Sequence, residues 1–410
     1  MIHPSKAIIG EISSELKGRT IALGVTGSIS LYKSIDLARA MMRRGAEVRV
    51  VMTEAATKLI SSEVFRWATG NPVVTDLTGE LEHVTLAKES SSMVVAPASA
   101  DALNKMALGV ADNSLVATFL NVVGSGKPAL VAPAMHGPMY SAPQVRDSIR
   151  RLKEMGVKVV EPLMVRDVAH YPELDHLVTL VTSYTLRGDD LDGVRILVTA
   201  GPTREYLDPV RFLSNPSSGL MGISIANEAT ARGAEVTVVK GPTELRSFAQ
   251  EEISVETTDE MTKEVNGALS SKPYHAAILA GAPADFRFQG VRNSKVDSHS
   301  EVPEVKLERT QKVSEVLRKY DLLKVGFSAE TVSSEEELRE RAVRKMDRHG
   351  FDVVVANNVA RRDIGFSSKE NEVIIITPKR TIKVEKAPKW VVARTLIDVV
   401  KEELKSRGMK

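Results

Sequence analysis

The feature that most constrains the fold is an echo between the two halves of the chain. Gly18-Arg-Thr-Ile-Ala-Leu-Gly-Val-Thr-Gly27 is followed downstream by Arg44-Gly-Ala-Glu-Val-Arg-Val-Val-Met52, and Gly193-Val-Arg-Ile-Leu-Val-Thr-Ala-Gly201 by Arg232-Gly-Ala-Glu-Val-Thr-Val-Val239. In each pair a short β-branched run reads as a buried parallel strand, a turn follows, and a helical stretch ends at the Gly of Arg-Gly-Ala before a second strand. Each half therefore opens as a β-α-β unit. Further apolar runs read as strands at 92–96, 129–132 and 157–160 in the first half and at 275–280, 324–327, 352–356 and 372–377 in the second, with helical patterns such as 334–349 between several of them. Strands alternating with helices predict an α/β chain of two doubly wound, Rossmann-like domains. The polar stretch Leu186-Arg-Gly-Asp-Asp-Leu-Asp-Gly193 precedes the second opening strand and marks the boundary, giving domains 1–188 and 189–410. Extra strands at 306–309, 373–377 and 381–384 and a helix over about 387–406 complete the second half.

Composition excludes several classes of function. The 410 residues are 43% hydrophobic, enough for more than one core. Lys and Arg total 55 against 53 for Asp and Glu, and a formal charge of +2 offers no global field for nucleic acid or anionic membrane. Any anion site must be local. Cysteine is absent, so the chain supplies no disulfide, no thiolate metal ligand and no cysteine nucleophile or proton donor. No apolar run approaches the roughly 18 to 20 residues of a membrane span, and Met1-Ile-His-Pro-Ser-Lys lacks the apolar core of a signal peptide, so a soluble, cytoplasmic protein is expected. The eight His are scattered and point to no metal ligand set. Gly124-Ser-Gly126-Lys127-Pro128 is a turn, not a phosphate loop: Pro follows Lys127 and Asn121 stands where the first Gly belongs. The basic run 339–348 reads as the solvated face of a helix.

In open α/β sheets ligands collect at the carboxyl ends of the strands. Thr26-Gly27-Ser28-Ile29-Ser30 follows the first strand and opens a helix, where small residues let backbone N–H groups approach a phosphate; a tight turn with a Ser cap accounts for the fragment equally well. Later strands end in Val51-Met-Thr53, Ala96-Pro97-Ala98-Ser99-Ala100-Asp101 and Ala132-Pro133-Ala134-Met135-His136-Gly-Pro-Met139-Tyr140, turns that converge on one cleft. The glycine fingerprint of dinucleotide sites is missing, which disfavours the alternative of an NAD-dependent oxidoreductase.

These motifs resemble the flavin-containing cysteine decarboxylase family, which implies an N-terminal flavodoxin-like flavoprotein domain. Gly27-Ser28-Ile29 is similar to its phosphate turn, Pro97-Ala-Ser99-Ala-Asp101 to its flavin-side turn, and Leu81-Glu-His83-Val-Thr-Leu to the stretch carrying its active-site His. Ala111-Asp112-Asn113-Ser-Leu115 and Pro133-Ala-Met135-His136 resemble two substrate-side motifs. The resemblance implies FMN held by Gly27, Ser28, Ile29, Thr53, Ser99 and Asp101, substrate contacts from Asp112, Asn113 and Met135, and His83 and His136 as catalytic groups. In that family the cysteinyl thiol is oxidised to a thioaldehyde whose carbon accepts the electrons released as CO2 leaves, and an imidazole moves protons near neutral pH. Two departures stand out. His136 occupies the place of an Asn that holds the substrate carboxylate, and the proton-donating Cys of a mobile loop has no counterpart here. The corresponding region 165–176 offers His170, Tyr171 and His176 instead. A flavin-binding assembly module without catalysis is the alternative reading of this half.

The second half carries a denser run, Thr199-Ala-Gly201-Pro-Thr-Arg204-Glu205 through Asp208-Pro-Val-Arg211 to Ser214-Asn215-Pro-Ser217-Ser218-Gly219-Leu-Met-Gly222. Ser217, Ser218, Gly219 and Gly222 form a helix opening whose donors suit a polyphosphate; Arg204 and Arg211 either bind phosphate or lock the loop by pairing with Glu205 and Asp208. The run resembles the ligase family that joins 4′-phosphopantothenate to cysteine in coenzyme A synthesis. Ala280-Gly-Ala282-Pro-Ala-Asp285-Phe, Lys295, Val325-Gly-Phe327, Lys345 and Ala356-Asn357-Asn358 continue the match in order. The resemblance implies a nucleotide, CTP, held by Gly201, Ser217, Gly219, Gly222, Phe327, Lys345 and Asn357; phosphopantothenate held by Asn215, Ala282 and Asp285; and Asn215 and Lys295 beside the reacting groups. It implies an acyl-nucleotidyl anhydride, Mg2+ on charge grounds, and homo-oligomers with trimer contacts in one half and dimer contacts in the other, closing into a particle such as a dodecamer. Leu220 and His349 stand where relatives often carry Lys, and Arg292 is the one other basic residue near Lys295.

Overall fold

A computed structural model describes residues 3–297, 299, 304–361 and 363–408. The chain divides into two compact units, Met1–Gly188 and Asp189–Lys410. Among the described residues no helix is long and apolar enough to cross a membrane.

The first unit is built on a parallel sheet whose strands run, edge to edge, Val73–Val74, Glu47–Met52, Thr20–Val25, Ser92–Ala98, Ala129–Pro133 and Lys158–Val159. The echoed segments pair directly, Thr20 opposite Glu47 through Val25 opposite Met52. Ser92–Ala98 is buried at every position, as expected of a central strand covered on both faces. The doubly wound layers match the expectation; in strand order the sheet follows the six-stranded Rossmann arrangement, not that of flavodoxin itself. The order reverses between Thr20–Val25 and Ser92–Ala98, and their carboxyl ends define the crevice.

The second unit holds an eight-stranded sheet in the order Glu251–Ser254, Glu235–Lys240, Arg195–Ala200, Ala276–Leu279, Leu323–Glu330, Val353–Asn358, Glu370–Ile376 and Thr381–Pro388; the first six are parallel and the last two add antiparallel. Alternate residues of Arg195–Ala200 feed opposite cores. Ile196, Val198 and Ala200 pack in one cluster with Ile225, Leu396 and Val400, while Leu197 packs in another with Met261, Val265 and Leu338. Helices start where caps allow. Thr257 and Glu260 form a reciprocal capping box on Thr258–Ser271, and Glu335–His349 begins at the Ser334 cap with three acidic residues in its first turn and ends at Gly350 in the left-handed conformation.

Buried ion pairs fix helix Leu220–Ala231 against the last helix, Lys389–Ser406. Arg394 grips Glu228 through Nε at 3.1 Å and Nη2 at 3.0 Å, and Arg232 reaches Asp190 and Asp398 at 2.7 and 2.8 Å. These pairs set the relation of two helix openings that matter below.

Candidate active sites

In the first unit the crevice is knotted by Thr26, which is fully buried. Its hydroxyl donates to the Pro97 carbonyl at 2.8 Å and accepts from Ser99 N–H at 2.9 Å, joining the Gly27 turn to the Ser99 turn across the strand-order reversal. A Cβ on Gly27 would come within 2.6 Å of Ala55 Cβ, so glycine lets the turn after Thr53 close in. Ser28 does not cap the following helix; its hydroxyl donates to the Ala134 carbonyl at 3.1 Å, and the chain makes a 3-10 turn, Ile29–Tyr32, before Lys33–Arg43. Ile29 stands 80% exposed above the turn. Thr53 and Ser99 each cap the helix that follows them.

The substrate-side motif is tied in by a cation the sequence reading passed over. Lys105 pairs with Asp101 at 3.2 Å and Asp112 at 3.0 Å, and the hydrogen bond to Lys105 leads the effects holding the Asp112 carboxyl below its usual range. Asn113 accepts from Val116 N–H, caps Ser114–Gly124 and donates to Asp112. Two buried polar atoms in the matched motifs have no hydrogen-bond partner, His83 Nδ1 and Ser114 Oγ. Unsatisfied buried groups of this kind are what a ligand or ordered water completes. His83 sits in the first turn of Glu82–Glu89, whose last carbonyls are clamped by Lys127 Nζ, 2.7 Å from those of Ala87 and Ser90 and 2.8 Å from that of Lys88.

A hairpin invisible to periodicity analysis reaches the same edge. Leu163–Val165 and Val168–His170 turn through Arg166 and Asp167, both at positive φ as a tight two-residue hairpin turn requires. The hairpin pairs with Met135–His136, Met135 opposite Ala169 and His136 opposite Val168. Facing residues and residues two apart on a strand share a face. His136, Val168 and His170 therefore lie on one face, with both His exposed, while Met135 and buried Ala169 lie on the other. Tyr171 is 4% exposed and burial raises its phenol; burial drives the His176 imidazole down to about 4. Of the three proposed donors, His170 is the one that shares a face with His136.

In the second unit a cavity of about 420 Å3 opens at the carboxyl ends of Arg195–Ala200 and Ala276–Leu279, where the strand order again reverses. Asn215, Ser217, Gly219, Ala282, Asp285, Phe327, Lys345 and Asn357 all line it. Two of the remaining predicted residues shape it from behind. A Cβ on Gly222 would sit 2.7 Å from both Ala200 Cβ and the Thr199 carbonyl oxygen, and Gly201, at φ +78°, lies 3.0 Å by the same measure from the Gly241 carbonyl oxygen. Helix Leu220–Ala231 begins at Gly219, φ +80°, with no side-chain cap. The Ser217 hydroxyl accepts from Gly219 N–H at 3.3 Å, and Asn215 Nδ2 donates to the carbonyls of Ala282 and Pro283, each at 3.1 Å.

Charge around the cavity is mostly positive. Burial leads the effects that lower the Lys345 ammonium, and Asp285 forms an ion pair with Lys312. His349 hydrogen-bonds Ser314 at 2.8 Å, stacks on Phe351, and is lowered by burial and by the Lys345 charge. Lys295 is exposed and lies outside the cavity lining; its neighbour Val296 is pinned by Asp208 and Arg211. Arg211 locks the loop through Asp208 at 3.0 Å. Burial pushes the Asp208 carboxyl up, but N–H bonds from Val296, Val210 and Arg211 and the Arg211 charge outweigh it and hold it at about 2. Arg204 pairs with Glu256 at 3.2 Å, and Glu205 accepts from Thr258 N–H. Both arginines are engaged in pairs that lock the loop.

A model of the DNA/pantothenate metabolism flavoprotein C-terminal domain matches residues 191–404, and a flavoprotein model matches residues 9–186. The coenzyme A biosynthesis bifunctional protein CoaBC of Thermococcus kodakarensis is 39% identical, over 98% of this chain and 100% of the relative. That of Methanocaldococcus jannaschii is 31% identical over 99% of each. A solved C-terminal domain of a coenzyme A biosynthesis bifunctional protein CoaBC shares 32% identity over 53% of this chain and 99% of that chain, with a TM-score of 0.44.

Proposed function

Because this chain belongs to the family of coenzyme A biosynthesis bifunctional proteins, with a flavoprotein half and a ligase half, we propose a division of labour between its two sites. The ligase cavity joins 4′-phosphopantothenate to cysteine at the expense of CTP, and the flavoprotein crevice decarboxylates the product to 4′-phosphopantetheine. Family membership sets aside the NAD-dependent oxidoreductase.

The observation that carries the ligase reading is the single cavity lined by both the predicted nucleotide residues and the predicted phosphopantothenate residues. The uncapped opening of Leu220–Ala231 presents first-turn N–H groups and the positive helix end to the triphosphate. Asn215, whose Nδ2 donates to the Ala282 and Pro283 carbonyls, ties the two loops together beside the carboxylate that attacks the α-phosphorus, expelling pyrophosphate. The cysteine amine then attacks the acyl carbon and releases the nucleoside monophosphate. Lys345 offsets the developing negative charge, while Lys295 stands outside the cavity lining. Mg2+ carried on the triphosphate neutralises part of its charge.

In the flavoprotein half the residues fit FMN: the Gly27-Ser28-Ile29 turn takes the phosphate, the Thr53, Ser99 and Asp101 turns flank the ring, and His83 Nδ1 and Ser114 Oγ await partners. FMN when bound supplies a two-electron oxidation of the thiol and the return of those electrons. His136 holds the substrate carboxylate, Asn113 and Asp112 orient the amide chain, His83 removes a proton, and His170 returns one from the hairpin. Exposed Phe212, Leu213, Phe286 and Leu307 on two hairpins of the ligase unit support a homo-oligomeric contact there.

A pyrophosphate-release assay with phosphopantothenate and cysteine, run with CTP and with ATP, tests the ligase assignment. Pyrophosphate with CTP, one per amide formed, supports it; release of orthophosphate with either nucleotide contradicts it.

A further inference from the structure

Lys389 is the first residue of the C-terminal helix and is 3% exposed. Its position violates two physical preferences at once. A cation at the start of an 18-residue helix opposes the positive end of the macrodipole. A buried ammonium without a counter-ion is costly. Among the described residues Lys389 makes no ion pair; its Nζ donates to a single acceptor, the Phe366 carbonyl, at 3.4 Å. Burial alone pulls its pKa down to about 8, with no carboxylate to hold it up. Such local inconsistencies concentrate at functional sites.

The surroundings identify the missing partner. Lys389 lines the ligase cavity together with Ser218, Phe366 and Asn371. The carbonyl that receives Lys389 Nζ also accepts from Ser218 Oγ at 3.2 Å, so ammonium and hydroxyl lie no farther apart than the two contacts combined. Ser218 belongs to the opening of Leu220–Ala231, and the Glu228–Arg394 pair locks that helix to the helix Lys389 begins. The opening itself has no cation: residues 217–222 are Ser, Ser, Gly, Leu, Met and Gly. A polyanion lying across Ser217–Gly219 would meet, besides Lys345 of the same cavity, an ammonium without an ion pair on the other helix.

We propose that Lys389 is a phosphate-binding residue of the ligase, pairing with the triphosphate of the nucleotide seated on the Leu220–Ala231 helix opening. The inference rests on the ligase reading and adds to it a cation contributed from the end of the chain. It also accounts for the loop 363–369, whose Phe366 carbonyl receives Lys389 and Ser218 and keeps both beside the cavity.

The test uses the full chain with Lys389→Met, which keeps the apolar stem. The expected result is a rise of about 30-fold or more in the KM for CTP and in the inhibition constant of inorganic tripolyphosphate, with the KM for phosphopantothenate and kcat at saturating CTP nearly unchanged. Lys389→Arg recovers part of the loss. Lys383→Ala, removing an exposed lysine paired with Glu335 and Glu385, leaves all values as in wild type. If Lys389→Met does not fold, Lys389→Gln provides the same readouts. A folded variant that binds CTP and tripolyphosphate as tightly as wild type overturns the proposal and leaves the ligase reading intact. Loss of phosphopantothenate affinity in parallel with CTP also overturns it, showing a tie for the cavity wall. A wild-type protein that releases no pyrophosphate from CTP overturns the ligase reading instead.

Discussion

Asn215 Nδ2 donates to the Ala282 carbonyl at 3.1 Å, so two residues 67 positions apart close one corner of the ligase cavity. The second bond of the same amide, to Pro283, uses its other hydrogen and restrains its rotation. A side chain held this way keeps the cavity wall in place around a reacting carboxylate, with no ordering left for the moment of reaction. Replacing it with Ala removes both bonds and loosens the wall that positions the carboxylate. Asn215→Ala is expected to lower kcat/KM for phosphopantothenate by about 100-fold, measured by pyrophosphate release at saturating CTP, with CTP binding little changed.

Glycine 222 tests the helix opening by volume alone. Its absent Cβ would overlap Ala200 Cβ and the Thr199 carbonyl oxygen, so Gly222→Ala forces the helix start off the strand end. The expected cost is about 1–3 kcal/mol in stability, seen in chemical unfolding, with a larger loss of CTP binding. Gly267 lies within helix Thr258–Ser271 with nothing inside 4 Å of a built Cβ, and Gly267→Ala is expected to stabilise by about 0.4–1 kcal/mol.

In the flavoprotein unit the shared face of His136 and His170 predicts an order of sensitivity. His170→Asn is expected to lower CO2 release from phosphopantothenoylcysteine by about 100-fold while the flavin absorbance of the purified protein is retained. Tyr171→Phe, at a buried phenol, is expected to retain turnover. The reverse order assigns the proton to Tyr171.

The lowered lysines give nucleotide binding a pH dependence. Without nucleotide, burial holds Lys389 at about 8 and lowers Lys345 too. Triphosphate favours the charged forms and raises both. Binding is therefore strongest below about pH 8 and weakens as pH rises through that value until the raised pKa of the complex is passed. The nucleotide-free fold runs the other way: the unfolded chain holds more protons above about pH 8, so stability rises with pH there. Calorimetric titration of CTP between about pH 7.5 and about pH 9.5 checks the sign, and Lys389→Met flattens the profile.

Much of the fold is legible in the sequence because buried parallel strands are continuous apolar runs and helix ends are marked by Gly and Ser. The Arg-Gly-Ala-Glu-Val echo becomes two equivalent pairings, Thr20 with Glu47 and Arg195 with Glu235. Short elements escape this reading: Val73–Val74, Glu251–Ser254 and the Leu163–His170 hairpin have too few residues for a period to show. The site is half legible. Residues just after strand ends come together since topology sends them to one edge, whereas Lys105, Lys312 and Lys389 acquire meaning only from partners distant in sequence or from burial. Arg204 makes the same point, pairing with Glu256 across 52 positions in place of its neighbour Glu205.

The central claim is that the helix opening beside Asn215 activates an acyl group through the nucleotide's α-phosphorus. Phosphopantothenate carrying heavy oxygen in its carboxylate, turned over by the full chain with CTP and cysteine, reports this directly by mass spectrometry of the products. The account predicts one heavy oxygen in the released CMP and none in pyrophosphate. Heavy oxygen in orthophosphate, or CMP released without it, contradicts it.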